Sequence, residues 1–454
     1  MPTLLIAVEP LVWARSQMAF TLGAHIVLAC LGVGLPALLA FAEFRHWRSG
    51  DEGWGRLAQR WAKAFAVLFA VGAVSGTVLS FELGLLWPAF MGTFGSVIGL
   101  PFTLEGFAFF VEAIFVGVYL YGGARLSPTG RLLSVVPIAV AGAVSAFFVV
   151  TANAWMNTPR GFTLGSDGRV HDVAPWAAMF NPSTPHETVH MIVAAYLVTG
   201  SLVAMVYAAA ILRGRSGEHH RRGLALGLTL AAIAAPLQAV TGHWAGDRVA
   251  ELQPLKLAAM EAHFETGTWA PLRLFGWPDV EAREVHGSID IPGALSLLAH
   301  RDPAAVVLGL EEFPEDEWPP VPIVHVAFQV MVGIGTGLIA LFGFGALGRW
   351  RRGNWPTERW YLRAVVAAGP ASILALEAGW VVTEVGRQPW IVRGFMRTSD
   401  AVTDAAGLHW LFLATLLLYL ALFVGAWSVL RYLASKPLDA AQDGPLAQES
   451  GDDA

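Results

Sequence analysis

The sequence predicts an all-α polytopic membrane protein with nine transmembrane helices. Three observations carry this. The 454 residues are 55% hydrophobic and only 14% charged, where a soluble domain carries about 25% charged residues. Apolar stretches of twenty residues or more recur along the chain. Many of the 18 tryptophans fall at the ends of those stretches, Trp87, Trp155, Trp244 and Trp390 among them, as an interfacial belt requires.

In chain order the spans are expected at about 14–42, 61–82, 96–122, 132–154, 183–212, 222–244, 321–347, 360–386 and 407–433. Each is long enough to cross ~30 Å of hydrocarbon at ~1.5 Å per residue. The connections after spans 1, 3, 5, 7 and 9 are basic. They carry Arg45, Arg48, Arg56, Arg60 and Lys63, then Arg125 and Arg131, then Arg213, Arg215, Arg221 and Arg222. Arg349, Arg351, Arg352, Arg359 and Arg363 follow, and Arg431 and Lys436 close the set. This side holds most of the 29 basic residues, so it is expected to be cytoplasmic, with the N-terminus outside. No basic segment followed by a cleavage site precedes span 1, so no removable signal peptide is expected. The lone Cys30 excludes a disulfide framework, and nothing marks a nucleic-acid-binding surface. Residues 1–244 thus form six spans, 245–320 an outer loop too polar to be embedded, 321–436 three more spans, and 437–454 an acidic cytoplasmic tail without fixed structure.

A charged group at a helix centre costs roughly 2.5–3.5 kcal/mol to insert, so each one asks for a reason. The candidates are His25 in span 1, Glu105 and Glu112 in span 3, His190 in span 5, and Glu377 and Glu384 in span 8, joined by the soft thioether of Met331 in span 7. Their depths agree. His190 is expected roughly 10 Å below the outer surface, with His25 and Met331 roughly 15 Å deep. Met with His is an axial pair for low-spin haem iron. Glu105 and Glu112 are seven residues apart, on one helix face and about 10 Å apart along the axis. Carboxylates so aligned suit a proton path. Arg387, Arg393 and Arg397 read most simply as solvated loop charges.

Two other readings compete. The segment HETVH, His186 to His190, matches the His-Glu-x-x-His pattern of an intramembrane zinc protease. No third ligand presents itself, and catalytic zinc takes three. A haem-free proton-coupled transporter would use the same acids as relays.

Six segments together resemble subunit I of the cytochrome bd-type quinol oxidases: ARSQMAFTLGAH at 14–25, FTLEGFAFFVEAIFVG at 102–117, TANAWMNTPRG at 151–161, VHMIVAAYLVTG at 189–200, PLKLAAMEAHFE at 254–265, and GRQPW after Trp380 and Glu384. They span nearly the whole chain in the right order. The resemblance implies an enzyme of the bacterial cytoplasmic membrane that passes electrons from a membrane quinol to O2, releasing water and using cytoplasmic protons. It implies His190 and Met331 on a low-spin haem b. His25 and Glu384 then serve two high-spin haems, one a haem b and the other a haem d or a further haem b; which takes haem d varies between members. Trp380 packs near them. Lys256 and Glu261 bind the quinol, and Glu105 and Glu112, with Ser145, deliver protons. Glu105 also comes near the haem iron. A second membrane subunit is implied, and the family allows a small accessory one. Where many members carry Arg two residues before the axial Met, this chain has Gln329, which resembles the cyanide-insensitive branch.

Overall fold

The computed structural model describes residues 2–122 and 125–436; the expected acidic tail lies outside them. Among the described residues nine helices are long and apolar enough to cross a membrane. They are α1 (Pro2–Ser49), α2 (Glu52–Leu86), α3 (Pro88–Gly122), α4 (Pro128–Asn157), α6 (Thr184–Leu212), α7 (Glu218–Leu252), α10 (Val321–Arg352), α11 (Arg359–Val385) and α13 (Leu408–Ser435). Short helices α5 (Pro175–Met179), α8 (Pro254–Met260), α9 (Ala294–His300) and α12 (Thr398–Ala401) lie in the connections.

Most helices outrun the spans read from the sequence. An apolar run ends where the hydrocarbon ends, but the backbone ladder continues into the interface until something stops it. Asp51 starts α2 by accepting from Gly53 N at 2.8 Å, and Ser127, ahead of Pro128, starts α4 by accepting from Gly130 N at 3.1 Å. Prolines inside α1, α3, α4, α7 and α11 leave those helices unbroken, as neighbouring helices permit in lipid.

Helix α1 packs on α2, α4, α6 and α13, and α3 on α4. Helices α6, α7, α10 and α11 form a second group, with α6 touching α7, α11, α4 and α1. At the α6–α7 crossing the backbones nearly touch. A Cβ on Gly227 would come within 2.6 Å of Ala204 N, and one on Gly200 within 2.7 Å of Ala231 N. Small residues at such crossings drive helix association where no hydrophobic effect separates protein from lipid.

Side chains at the basic helix ends hold one face together. Arg60 donates to Leu433 O at 2.7 Å, Arg222 pairs with Asp51 at 2.6 Å, and Trp61 Nε1 donates to Tyr207 OH at 2.7 Å. The connection between α7 and α10 is folded. Two antiparallel ribbons, Leu272–Leu274 with Ile289–Ile291 and Trp277–Asp279 with Glu284–His286, cap the ends of α8 and α10. Ala258, Ala259, Phe264, Leu310, Val321 and Val324 form their shared core.

Candidate functional site

His25 and His190 are held by the same device. The Ser75 hydroxyl spends its proton on Gly72 O at 3.0 Å. At 2.8 Å from His25 Nδ1 it can only accept, so Nδ1 carries the proton and Nε2 keeps its lone pair. Thr241 repeats this for His190. Its hydroxyl donates to Gln238 O at 3.2 Å and accepts from His190 Nδ1 at 3.2 Å, while the Gln238 amide donates to Nε2 at 2.9 Å. Metal-binding imidazoles are oriented in just this way by a partner on the other nitrogen.

Each soft or basic donor also faces a glycine. A Cβ on Gly76 would lie 3.1 Å from His25 Cε1, one on Gly242 3.3 Å from His190 Cε1, and one on Gly379 3.0 Å from Met331 Sδ. Any larger residue would crowd the donors out of position. Two imidazoles with basic Nε2 atoms, that of His190 turned to the Gln238 amide, and a thioether are donors of the kind haem iron takes. Trp380 packs against the cluster of Ile26, Cys30, Val33, Ala195, Val198 and Leu376 between α1, α6 and α11.

Glu384 behaves otherwise. Its Oε2 accepts from Arg387 at 2.6 Å and its Oε1 accepts from Asn153. Arg387 was expected to be solvated, but its side chain is only 3% exposed. Helix α11 ends at Val385, and the turn through Gly386 folds the guanidinium back over the carboxylate three residues earlier. The insertion cost of Glu384 is therefore met in part by an arginine. The polar network goes on. Lys256 Nζ donates to Asn157 Oδ1 at 2.7 Å, and Asn157 Nδ2 donates to Glu187 Oε1 at 3.2 Å.

On α3, Glu105 Oε1 accepts from Ser145 Oγ at 3.3 Å. Glu112 is buried, with Oε1 unpartnered, and packs where α1 and α4 meet. A Cβ on Gly142 would be 3.4 Å from that oxygen and 3.1 Å from Gly32 O. Glu377 lies against Gly23 of α1, its Oε1 likewise buried and unpartnered.

In the outer loop a cavity of about 230 Å³ is lined by Lys256, Gln253, Phe313, Glu317, Arg387 and Trp390, among others. Glu261 is not in its wall. Five residues along a helix turn about 140°, so Lys256 and Glu261 leave α8 in different directions. Burial lowers the pKa of the Lys256 ammonium. Burial pushes the Glu261 carboxyl up to about 7, with Arg273 pulling the other way. Gln329 bonds the loop rather than any charge: it donates to Arg273 O at 2.8 Å and accepts from Phe275 N at 3.1 Å.

The family model described as cytochrome bd terminal oxidase subunit I matches residues 13–437. The chain belongs to that family. A Bacillus subtilis (strain 168) protein provisionally named cytochrome bd menaquinol oxidase subunit I is 40% identical, over 95% of this chain and 98% of its own length. The cytochrome bd-II ubiquinol oxidase subunit 1 of Escherichia coli (strain K12) is 27% identical, over 86% and 88%. The solved bd oxidase from Geobacillus thermodenitrificans superposes with a TM-score of 0.88 at 41% identity, covering 94% of this chain and 98% of that one. As a bd oxidase first subunit, the chain is a multi-pass oxidoreductase of a bacterial inner membrane. Membership carries haem cofactors and a second subunit.

The zinc alternative finds no support in the bd oxidase fold. Among the described residues no group of three or more His, Cys, Asp and Glu is arranged to hold a metal ion. His186 lies edge-on to Trp244. Sequence reasoning missed several participants. Ser75, Thr241, Gln238 and Asn153 are ordinary span residues until a neighbour is seen. Glu82 is 3% exposed, accepting from Gln17 at 2.8 Å and Thr21 at 2.5 Å. It stood at the edge of the expected second span, where a charge reads as the end of the hydrocarbon.

Proposed function

We propose that this bd oxidase subunit oxidises a membrane quinol at the loop between α7 and α10, on the outer side, and reduces O2 to water with protons drawn from the cytoplasm. Charge is then separated without pumping, because electrons start outside while protons start inside. The names of the relatives support quinol as the substrate class.

His190 and Met331 hold a low-spin haem b. His25 holds a high-spin haem, a haem b or a haem d. The remaining high-spin haem would be held by the carboxylate of Glu384. The haems supply one-electron transfer and an iron at which O2 is reduced. The observation that carries this is the paired arrangement of Ser75 with His25 and Thr241 with His190, which leaves both Nε2 atoms basic.

The chain's own residues do the rest. Lys256 donates to a quinol oxygen in the outer cavity. Glu261, its carboxyl near neutrality, accepts a quinol proton and passes it outward. Glu112 and then Glu105 carry protons inward from the basic face, with Ser145 orienting Glu105. A second subunit completes the complex, with a small accessory chain as a further partner.

Quinol-dependent oxygen consumption in membranes tests the reading. Glu261→Gln and Lys256→Ala are expected to lower it with haem content unchanged. Wild-type turnover in both would remove the outer loop from the account.

A further inference from the structure

The carboxylate stripe of α3 has a third member. Tyr119 stands seven residues beyond Glu112, as Glu112 stands beyond Glu105, so all three leave one helix face. Tyr119 is buried and its hydroxyl donates to Oε1 of Glu43, on α1. The Glu43 side chain is 0% exposed. Arg131, from α4, brings Nε to 3.8 Å from the other oxygen, Oε2. Among the described residues neither of those two atoms has a hydrogen-bond partner. Two orphaned polar atoms at that separation suit one bridging water.

The chain of contacts reaches solvent. Arg131 donates to His46 Nε2 at 2.8 Å, and His46 Nδ1 donates to Asp51 O at 3.0 Å. Asp51 lies in the turn between α1 and α2, its side chain 40% exposed on the basic face.

The same three helices enclose Glu112. On α1, Gly32 and Glu43 are three turns apart; on α4, so are Gly142 and Arg131. The seam that holds Glu112 between Gly32 and Gly142 therefore runs on to Glu43 between the same helices, about 10 Å further along α3. Leu39, Val116 and Ile138, all buried, belong to the apolar core at this depth, so proton transfer along the seam requires water to enter between them. An ion pair that only fastened helix ends would not need a buried carboxylate oxygen left without a direct hydrogen bond, which is costly.

We propose that Glu43 and Tyr119 form the inner mouth of the proton path, loading protons from the basic face for Glu112. This rests on the reading that Glu112 and Glu105 deliver protons from a cytoplasmic basic face. Each O2 takes four electrons, from two quinols, and four protons, to give two waters. The quinols' own protons leave outside, so all four must enter by such a route.

The test uses the complete two-subunit complex in liposomes, with reduced enzyme mixed with O2 and proton uptake followed by a dye on the basic-face side. Glu43→Gln is expected to keep the wild-type haem spectrum while slowing uptake about tenfold at pH 8. Uptake should recover toward wild type at pH 6, and Glu43→Asp should restore most of it. A mere fastening role predicts lost haem or lowered thermal stability with no acid recovery, and that result overturns the proposal. If Glu43→Gln does not fold, Tyr119→Phe decides: slowed uptake supports the mouth and wild-type uptake sinks it. Glu112→Gln separates the two levels. Slow uptake there with normal Glu43→Gln and Tyr119→Phe removes only the mouth, whereas normal uptake in Glu112→Gln removes the path itself.

Discussion

Arg387→Met isolates the pair that compensates Glu384. The Arg387 side chain is 3% exposed and Glu384 27%. Removing one partner of a buried ion pair costs ~3–5 kcal/mol, because the other charge is left uncompensated. Partial exposure of Glu384 and its bond from Asn153 reduce this to about 2–3 kcal/mol. Glu384→Gln alone strands the guanidinium at a similar cost. The double variant leaves neither charge, so its loss should be smaller than the sum by about 2 kcal/mol, the coupling a double-mutant cycle extracts. Thermal unfolding of the detergent-solubilised complex, followed by tryptophan fluorescence, measures it. The haem spectrum of the same samples reads the ligand role, since an iron-ligating Glu384 would cost a haem on amidation while Arg387→Met would not. Additive losses, with no coupling, would show that the two groups do not compensate each other.

Ser75→Ala should loosen His25 and lower occupancy of its haem by roughly tenfold in apparent affinity. Ser75→Thr, which keeps the hydroxyl, should restore the spectrum; equal spectra in all three would contradict the tautomer assignment. Glu261 gives a pH signature. Its folded pKa is raised from 4.5 to about 7, so the folded state binds more protons than the unfolded one between those values. Its contribution to stability is therefore most favourable below pH 4.5 and is lost as pH rises through 7. The base form needed for quinol oxidation appears over the same range. Activity should climb through about pH 7, and Glu261→Gln should flatten that limb while lowering the rate by roughly a hundredfold, as read from a pH–rate profile.

The nine spans were legible because twenty apolar residues in a row have few alternatives to crossing a membrane. The candidate donors were legible because a polar group in such a run is costly. What escaped lay at edges and in partners. Glu43 falls one residue past the expected end of span 1 and Glu82 at the expected end of span 2. A boundary drawn at a charge hides a charge that the helix carries inside. Arg387 looked like a loop residue because nothing in GRQPW says that the turn folds back on Glu384. Ser75 and Thr241 matter through which atom their single proton reaches, a fact of three dimensions. Lys256 and Glu261 read as a pair by spacing, yet the twist of α8 turns them apart, and only Lys256 lines the outer cavity.

The central claim is that α1, α6 and α10 hold iron porphyrin through His25, His190 and Met331. Haem counted per polypeptide by extraction, with the dithionite-reduced spectrum recorded on the same complex, tests it most directly. His190→Ala and Met331→Ala should each abolish the same low-spin b-type band, and His25→Ala a different one. An unchanged haem count and spectrum in all three folded variants would contradict it.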